Sequence, residues 1–208
     1  MDLDLSLYLV TDRKLSLNRP LEWVVEEAVR GGVTVVQLRE KDCDTREFVN
    51  LAIKLKQILS LYHVPLLIND RIDIALAADA DGVHIGQSDM PYHLARKILG
   101  YNKVIGLSIE NFEEAEEANK LDVDYIAVSP VFSTHTKTNT KIEFGFEGVK
   151  KVVEISKHPV IGIGNINVTN IQKIMQMGAD GVAVVSAIMS ATNIEEAARI
   201  LQLKMKEL

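Results

Sequence analysis

Short runs rich in Val, Ile and Leu recur along this chain, separated by stretches in which apolar residues return every three or four positions. The runs are 6–11 (SLYLVT), 34–40 (TVVQLRE), 65–69 (PLLIN), 82–86 (GVHIG), 104–109 (VIGLSI), 125–132 (YIAVSPVF), 159–163 (PVIGI) and 181–186 (GVAVVS). Most lack clean polar alternation, as expected of strands buried on both faces. The stretches between them predict helices at 20–30, 45–62, 71–78, 91–99, 111–120, 146–156, 168–177 and 193–206. In 45–62, Phe48, Leu51, Ala52, Leu55, Ile58 and Leu59 mark one helical face. Pro20 opens the first helix and Gly31-Gly32 stops it. Asn111 and Glu114 form a capping box with Asn in place of the usual Ser or Thr. Thr169, or Asn167 before it, is the candidate cap of the seventh helix. Trp23 and Met177 fall on helix faces and are read as core packing.

Strict strand–helix alternation implies a parallel sheet. The 208 residues divide into eight units averaging 26, enough for a strand, a helix and two short loops. The expected fold is therefore α/β, a closed (β/α)8 TIM barrel with residues 1–208 as a single domain. An open doubly wound sheet is the rival, but it gathers its ligand groups at one switch point. Here polar residues close nearly every strand. The third unit leaves room only for a very short helix after Asp70, and the sixth is the longest.

Composition narrows the function. With 47% hydrophobic and 25% charged residues the chain is ordinary globular protein. No apolar run approaches the roughly 20 residues of a membrane helix. The N-terminus carries acids where a signal peptide carries a basic start, so a cytoplasmic location is expected. A net charge of −6 argues against a nucleic-acid partner. The single cysteine, Cys43, excludes an internal disulfide framework and reads as a reduced side chain near a loop. The five histidines have no zinc-like spacing. The partners expected are small molecules, with no nucleic acid and no membrane; a homo-oligomer is left open.

In a barrel, active-site groups sit at strand C-termini and in the loops that follow. Those positions hold Gln37, Arg39 and Lys41, whose i, i+2, i+4 spacing puts all three on one strand face. Two cations and an amide there make an anion site, Arg offering a planar fork and Lys a mobile charge. Asp70 and Asp89 close successive strands. They read either as helix caps or as paired carboxylates for Mg2+, which takes one or two carboxylates plus substrate phosphates. The sixth loop, THTKTNTK (134–141), offers Thr134, Thr136 and Lys137 to a phosphate. Gly164 and Asn165 follow strand seven and Ser186 ends strand eight, where this fold often binds phosphate. His84, inside strand four, reads as structural. No Ser-His-Asp or Cys-His arrangement is suggested. An acidic chain with local cations and two aspartates fits a polyanion delivered with a divalent metal: a magnesium-bound diphosphate in one part, a monophosphate in another.

The segments LYLVTD (7–12), GGVTVVQLREKD (31–42), LLINDRIDIALAADADGVHIGQSDMP (66–91), GLSI (106–109), VSPVFSTHTK (128–137), PVIGIGNI (159–166) and GADGVAVVSAI (178–188) resemble the thiamine-phosphate synthase family in order and over nearly the whole chain. The resemblance implies a transferase of thiamine biosynthesis. Such an enzyme joins 4-amino-2-methyl-5-pyrimidinylmethyl diphosphate to 4-methyl-5-(2-phosphooxyethyl)thiazole, giving thiamine phosphate and diphosphate. It implies a dissociative substitution assisted by Mg2+. Carried over residue by residue, Gln37, Arg39, Lys41 and Asn69 hold the pyrimidine diphosphate, Asp70 and Asp89 bind Mg2+, and Ser108 and Lys137 also contact the pyrimidine substrate. Arg39, Lys41, Ser108 and Lys137 are the expected catalytic groups. Thr134, Thr136, Gly164, Val185 and Ser186 hold the thiazole phosphate.

Three positions depart from the family pattern: Ser133 stands for a Pro, Asn139 for an Asp, and Asn165 for the second Gly of a pair. Asn tolerates left-handed backbone, so the last turn is expected to survive. The alternatives are a thiazole tautomerase, which has no use for the full cation and carboxylate set, an aldolase or isomerase on the same fold, for which Lys41 is the only Schiff-base candidate, and a non-catalytic binder.

Overall fold

Eight short parallel strands close on themselves in sequence order. They are β1 (Leu7–Val10), β2 (Val35–Leu38), β3 (Leu66–Asn69), β4 (Gly82–Ile85), β5 (Val104–Ile109), β6 (Tyr125–Val128), β7 (Val160–Ile163) and β8 (Gly181–Val184). The structure is a computed structural model that describes residues 3–133 and 143–207. Around the strands lie α1 (Leu21–Arg30), α2 (Thr45–Leu61), α3 (Ile72–Ala77), α4 (Tyr92–Leu99), α5 (Phe112–Ala118), α6 (Gly145–Ile155), α7 (Ile171–Gln176), α8 (Ser186–Met189) and α9 (Ile194–Lys206). The protein is a single-domain (β/α)8 barrel. No helix among the described residues is long and apolar enough to cross a membrane.

Alternation along the strands sorts side chains into two cores. Leu7 and Leu9 of β1 face the helices, and Tyr8 and Val10 face the barrel interior. The interior core is small: Leu5, Val35, Leu67, Val104, Ala127, Ile161 and Ala183 complete it around Tyr8 and Tyr125. Such a packed interior closes the barrel as a solid plug rather than a pore.

The N-terminal end of the barrel is held by a clasp repeated four times. Asp81, immediately before β4, donates its N–H to Leu66 O at 2.9 Å, and its carboxylate accepts from Leu66 N at 2.8 Å. Asp124 before β6 does the same to Ile105, and Asp180 before β8 to Val160. Thr34 before β2 clasps Leu7 with its hydroxyl. Each clasp satisfies the first free N–H of an odd strand from the strand beside it. Lys56 and Arg96 neutralise the Asp81 and Asp124 carboxylates.

The predicted alternation holds, with local differences. The helix after Asp70 is indeed short, six residues. The Asn111–Glu114 box is formed, Glu114 N donating to Asn111 Oδ1 at 2.8 Å and Glu110 N to Glu114 Oε2 at 2.6 Å. Strand β2 stops at Leu38, so Arg39 and Lys41 lie beyond it. The eighth predicted strand, 181–186, ends at Val184: the chain turns at Val185 into the unforeseen α8. Helix α7 begins only at Ile171, because Asn167 and Thr169 bond to each other in the turn before it. Trp23 is 43% exposed rather than core, with the Arg19 guanidinium 5.9 Å from its ring centre.

Candidate active site

A cavity of about 450 Å³ opens at the C-terminal ends of the strands. Gln37, Arg39, Lys41, Asn69, Asp70, Asp89, Ser108, Gly164, Val185 and Ser186 all line it. Thr134, Thr136, Lys137 and Asn139 lie outside the described residues. A larger groove of about 700 Å³ runs along the outer surface between the β1–α1 connection and α2, and holds none of the predicted residues. Among the described residues, ligand groups converge from many strands only in the barrel mouth, so the chemistry belongs to the smaller cavity.

One wall is ionic. Lys41 Nζ lies 2.5 Å from Asp70 Oδ2. Arg39 Nη1 lies 3.7 Å from Asp12 Oδ2, and its backbone N donates to Thr11 Oγ1 at 3.0 Å. Although β2 has ended, that bond carries Arg39 into the cavity. Asp70 takes left-handed backbone at φ +61°, an uncommon conformation for a residue with a Cβ. Asp89 Oδ2 accepts from Gly86 N at 2.7 Å, bracing the β4 loop. Neither aspartate caps the helix that follows it: Arg71 and Pro91 hold the N-cap positions of α3 and α4, with no side-chain cap bond. Burial raises the Asp89 carboxyl above its ordinary range. The neighbouring Asp70 carboxylate adds to this, and the Gly86 N–H and Lys41 oppose it.

The floor is a hydrogen-bonded chain. Gln37 Nε2 donates to Tyr8 Oη at 2.8 Å, Tyr8 Oη meets Tyr125 Oη at 2.9 Å, and Tyr125 Oη meets His84 Nδ1 at 2.8 Å. His84 Nε2 then meets Ser108 Oγ at 2.8 Å. Both tyrosines are fully buried, and burial pushes their phenols well above the ordinary range, so they stay protonated. His84, read from the sequence as structural, is built into the site. Tyr8 and Tyr125 were missed because an aromatic within an apolar run reads as core. The available signal is Gly106, paired in register with both His84 and Tyr125. A Cβ there would lie 2.0 Å from Tyr125 Cζ, so the glycine is the gap through which the ring reaches His84.

The opposite rim is backbone-rich. Gly164 takes φ +116° and packs over Pro130, where a Cβ would sit 2.8 Å from Pro130 Cβ. Asn165 takes φ +50°, so the left-handed turn survives the departure from glycine. Val185 and Ser186, at the start of α8, follow the neighbouring strand β8 and line the cavity beside this turn.

The donor set suits a hard divalent cation in one respect. Asp70 and Asp89 present neighbouring carboxylates whose mutual repulsion a cation would relieve. Among the described residues no cluster of three or more His, Cys, Asp or Glu could hold a metal alone. A cation there needs further oxygens from water and ligand, as Mg2+ commonly takes them.

The thiamine monophosphate synthase family model matches residues 7–188. A thiamine-phosphate synthase of Leptospira biflexa serovar Patoc is 55% identical over 195 residues, spanning 92% of this chain and 93% of the relative. One from Clostridium novyi is 48% identical over 201 residues, spanning 97% and 98%. Among solved structures, thiamine phosphate pyrophosphorylase from Pyrococcus furiosus superposes with a TM-score of 0.90 at 39% identity, covering 99% of this chain and 97% of that one.

Proposed function

This chain belongs to the thiamine monophosphate synthase family, and from that membership we propose how its cavity makes thiamine phosphate. The protein is a transferase of thiamine biosynthesis, joining the pyrimidinylmethyl diphosphate to the thiazole phosphate with release of diphosphate. The observation that carries the division of labour is the juxtaposition of Arg39 and Lys41 with Asp70 and Asp89 on one wall. Cations and paired carboxylates together suit a metal-bound diphosphate and little else.

Asp70 and Asp89 would hold Mg2+, which when bound neutralises diphosphate charge as a Lewis acid. Arg39 and Lys41 grip the same diphosphate, and the cations oppose the negative charge that grows as it leaves. Lys137 joins them from the sixth loop by its match to the family motif. Gln37 and Asn69 orient the pyrimidine diphosphate, and Ser108 contacts the ring. The C–O bond breaks first, the pyrimidine's amino group feeds electrons to the methylene cation, and the thiazole nitrogen then attacks. Such a path needs no protein nucleophile; the site's task is to position and neutralise. Gly164, Val185, Ser186, Thr134 and Thr136 hold the thiazole phosphate. A tautomerase would leave Arg39, Lys41 and both aspartates without a role.

The test is purified protein with both substrates, with and without Mg2+. Thiamine phosphate and diphosphate are expected in equal amounts with Mg2+ present. Their absence under magnesium sinks the reading, and full activity in metal-free buffer removes the metal from it.

A further inference from the structure

We propose that His84 is a positioning residue that turns the Ser108 hydroxyl into a one-way hydrogen-bond donor toward the cavity, its own tautomer being set by a proton-ordered chain beginning at the Gln37 amide. The order follows from valence. An amide nitrogen only donates, so Tyr8 Oη accepts from Gln37 Nε2. The single proton of Tyr8 is then directed to Tyr125 Oη, and that of Tyr125 to His84 Nδ1. An accepting Nδ1 puts the proton of the neutral ring on Nε2, which donates to Ser108 Oγ. The Ser108 proton is left to point at the cavity that Ser108 lines.

The alternatives conflict with the same geometry. An imidazolium donates from both nitrogens, and with Gln37 also donating, one phenol proton of a fully buried pair has no acceptor within the chain. Reversing the Gln37 amide reverses every link and leaves Ser108 donating to His84, offering the cavity only lone pairs. The two orders therefore demand opposite ligand edges, and the one with Gln37 Nε2 toward Tyr8 demands an acceptor, such as an unprotonated ring nitrogen. A half-turn of the His84 ring would put carbons where Nδ1 and Nε2 now bond Tyr125 and Ser108 at 2.8 Å each, so the ring is held in this orientation. The chain joins β2, β1, β6, β4 and β5, so five strands fix the direction of one hydroxyl.

The proton order stands on the ligand-free protein, and its use for the pyrimidine substrate rests on the function proposed above. The experiment has an arm for each. A long-range 1H–15N correlation spectrum of the uniformly labelled chain, with His84 assigned by its loss in His84→Gln, should show the Nε2–H neutral tautomer at neutral pH. Tyr8→Phe, which removes the middle link, should convert it to a mixture. An Nδ1–H ring or an imidazolium in the parent overturns the order, as does an unchanged tautomer in Tyr8→Phe. In kinetics, His84→Asn retains the acceptor toward Tyr125 and loses the donor to Ser108, so kcat/KM for the pyrimidine diphosphate should fall about tenfold. His84→Gln restores an amide N–H near Ser108 and should recover most of that loss. On a Ser108→Ala background the two variants should differ little. Equal losses in both variants, or an undiminished His84→Asn loss on Ser108→Ala, overturn the positioning role. If the parent chain makes no thiamine phosphate, the proposed function fails while the spectrum still decides the proton order.

Discussion

Replacing Gly106 by Ala tests how tightly the barrel interior is coupled to the site. The added Cβ would lie 2.0 Å from Tyr125 Cζ and 2.3 Å from its Oη, whereas ordinary contact begins near 3.4 Å. Tyr125 is wholly buried against Tyr8, His84 and the inner core, so its ring has no open space to enter. A retreat of more than an ångström takes its hydroxyl out of range of Tyr8 or His84, now 2.9 and 2.8 Å away. Overpacking costs about 1–3 kcal/mol, and a buried polar atom stripped of its partner a further 1–3 kcal/mol or so. The expected loss is about 2–6 kcal/mol, a large share of the roughly 5–15 kcal/mol that holds a domain folded. Urea unfolding followed by far-ultraviolet circular dichroism measures it, since the single tryptophan, Trp23, is 43% exposed and reports poorly on the interior. The same substitution on a Tyr125→Ala background meets empty space and should cost under about 1 kcal/mol, a coupling typical of residues in contact. A Gly106→Ala protein within about 0.5 kcal/mol of its parent, with kcat/KM unchanged, refutes the reasoning.

Lys41→Ala and Asp89→Ala should each lower turnover by about a hundredfold or more; unchanged turnover in both removes the diphosphate from this wall. Asp180→Ala opens one N-terminal clasp and should cost about 1.5–3 kcal/mol in urea unfolding, with kcat/KM unaffected; a neutral result makes the clasp ornamental. Tyr8 and Tyr125 ionise far less readily folded than unfolded, where the ordinary value is 10.0. Above that pH the unfolded chain binds fewer protons than the native one, so stability falls as pH rises. Their phenolate absorbance should appear only with loss of the circular dichroism signal, and complete reversible tyrosine titration in the folded protein contradicts this. Asp70→Asn should abolish product formation yet leave stability unchanged or raised by up to about 1 kcal/mol, because Asn accepts left-handed backbone and ends the repulsion of Asp89.

Much of this was legible because a barrel exports its chemistry to fixed places. Alternation of apolar runs with amphipathic segments fixes the parallel sheet, and strand ends then name Gln37, Arg39, Asn69, Asp70 and Ser108 without further information. Arg39 and Lys41 were reached by strand alternation, yet β2 stops at Leu38 and the segment beyond it brings both to the cavity. The floor was not legible for a physical reason. An inward aromatic buries the same apolar surface whether or not its hydroxyl has a partner, so Tyr8 and Tyr125 carry no periodic signature. The clasps were hidden differently: Asp81, Asp124 and Asp180 sit before strands, where an acidic residue is usually read as solvated turn. Their meaning appears only when the residue clasped, Leu66, Ile105 or Val160, is found one strand back.

The two ends of the barrel treat carboxylates in opposite ways. At the N-terminal end Asp81, Asp124 and Asp180 each receive a backbone N–H, and two of them a cation, so every carboxylate there has a partner within the fold. At the C-terminal end Asp70 stands in left-handed backbone, and Asp89 is lifted above its ordinary range by burial and by its neighbour. Selection for stability alone would remove that pair, since residues that conflict with their surroundings gather where function requires them. Lys41 meets only part of the cost, because its ion pair with Asp70 is half exposed and such pairs contribute roughly 0–1 kcal/mol. A bare diphosphate entering beside two carboxylates would deepen the conflict, whereas one arriving with a divalent cation resolves it for substrate and protein together. On the function proposed above, binding of a metal-bound diphosphate would relieve this wall, while the clasped end holds the barrel closed without any ligand.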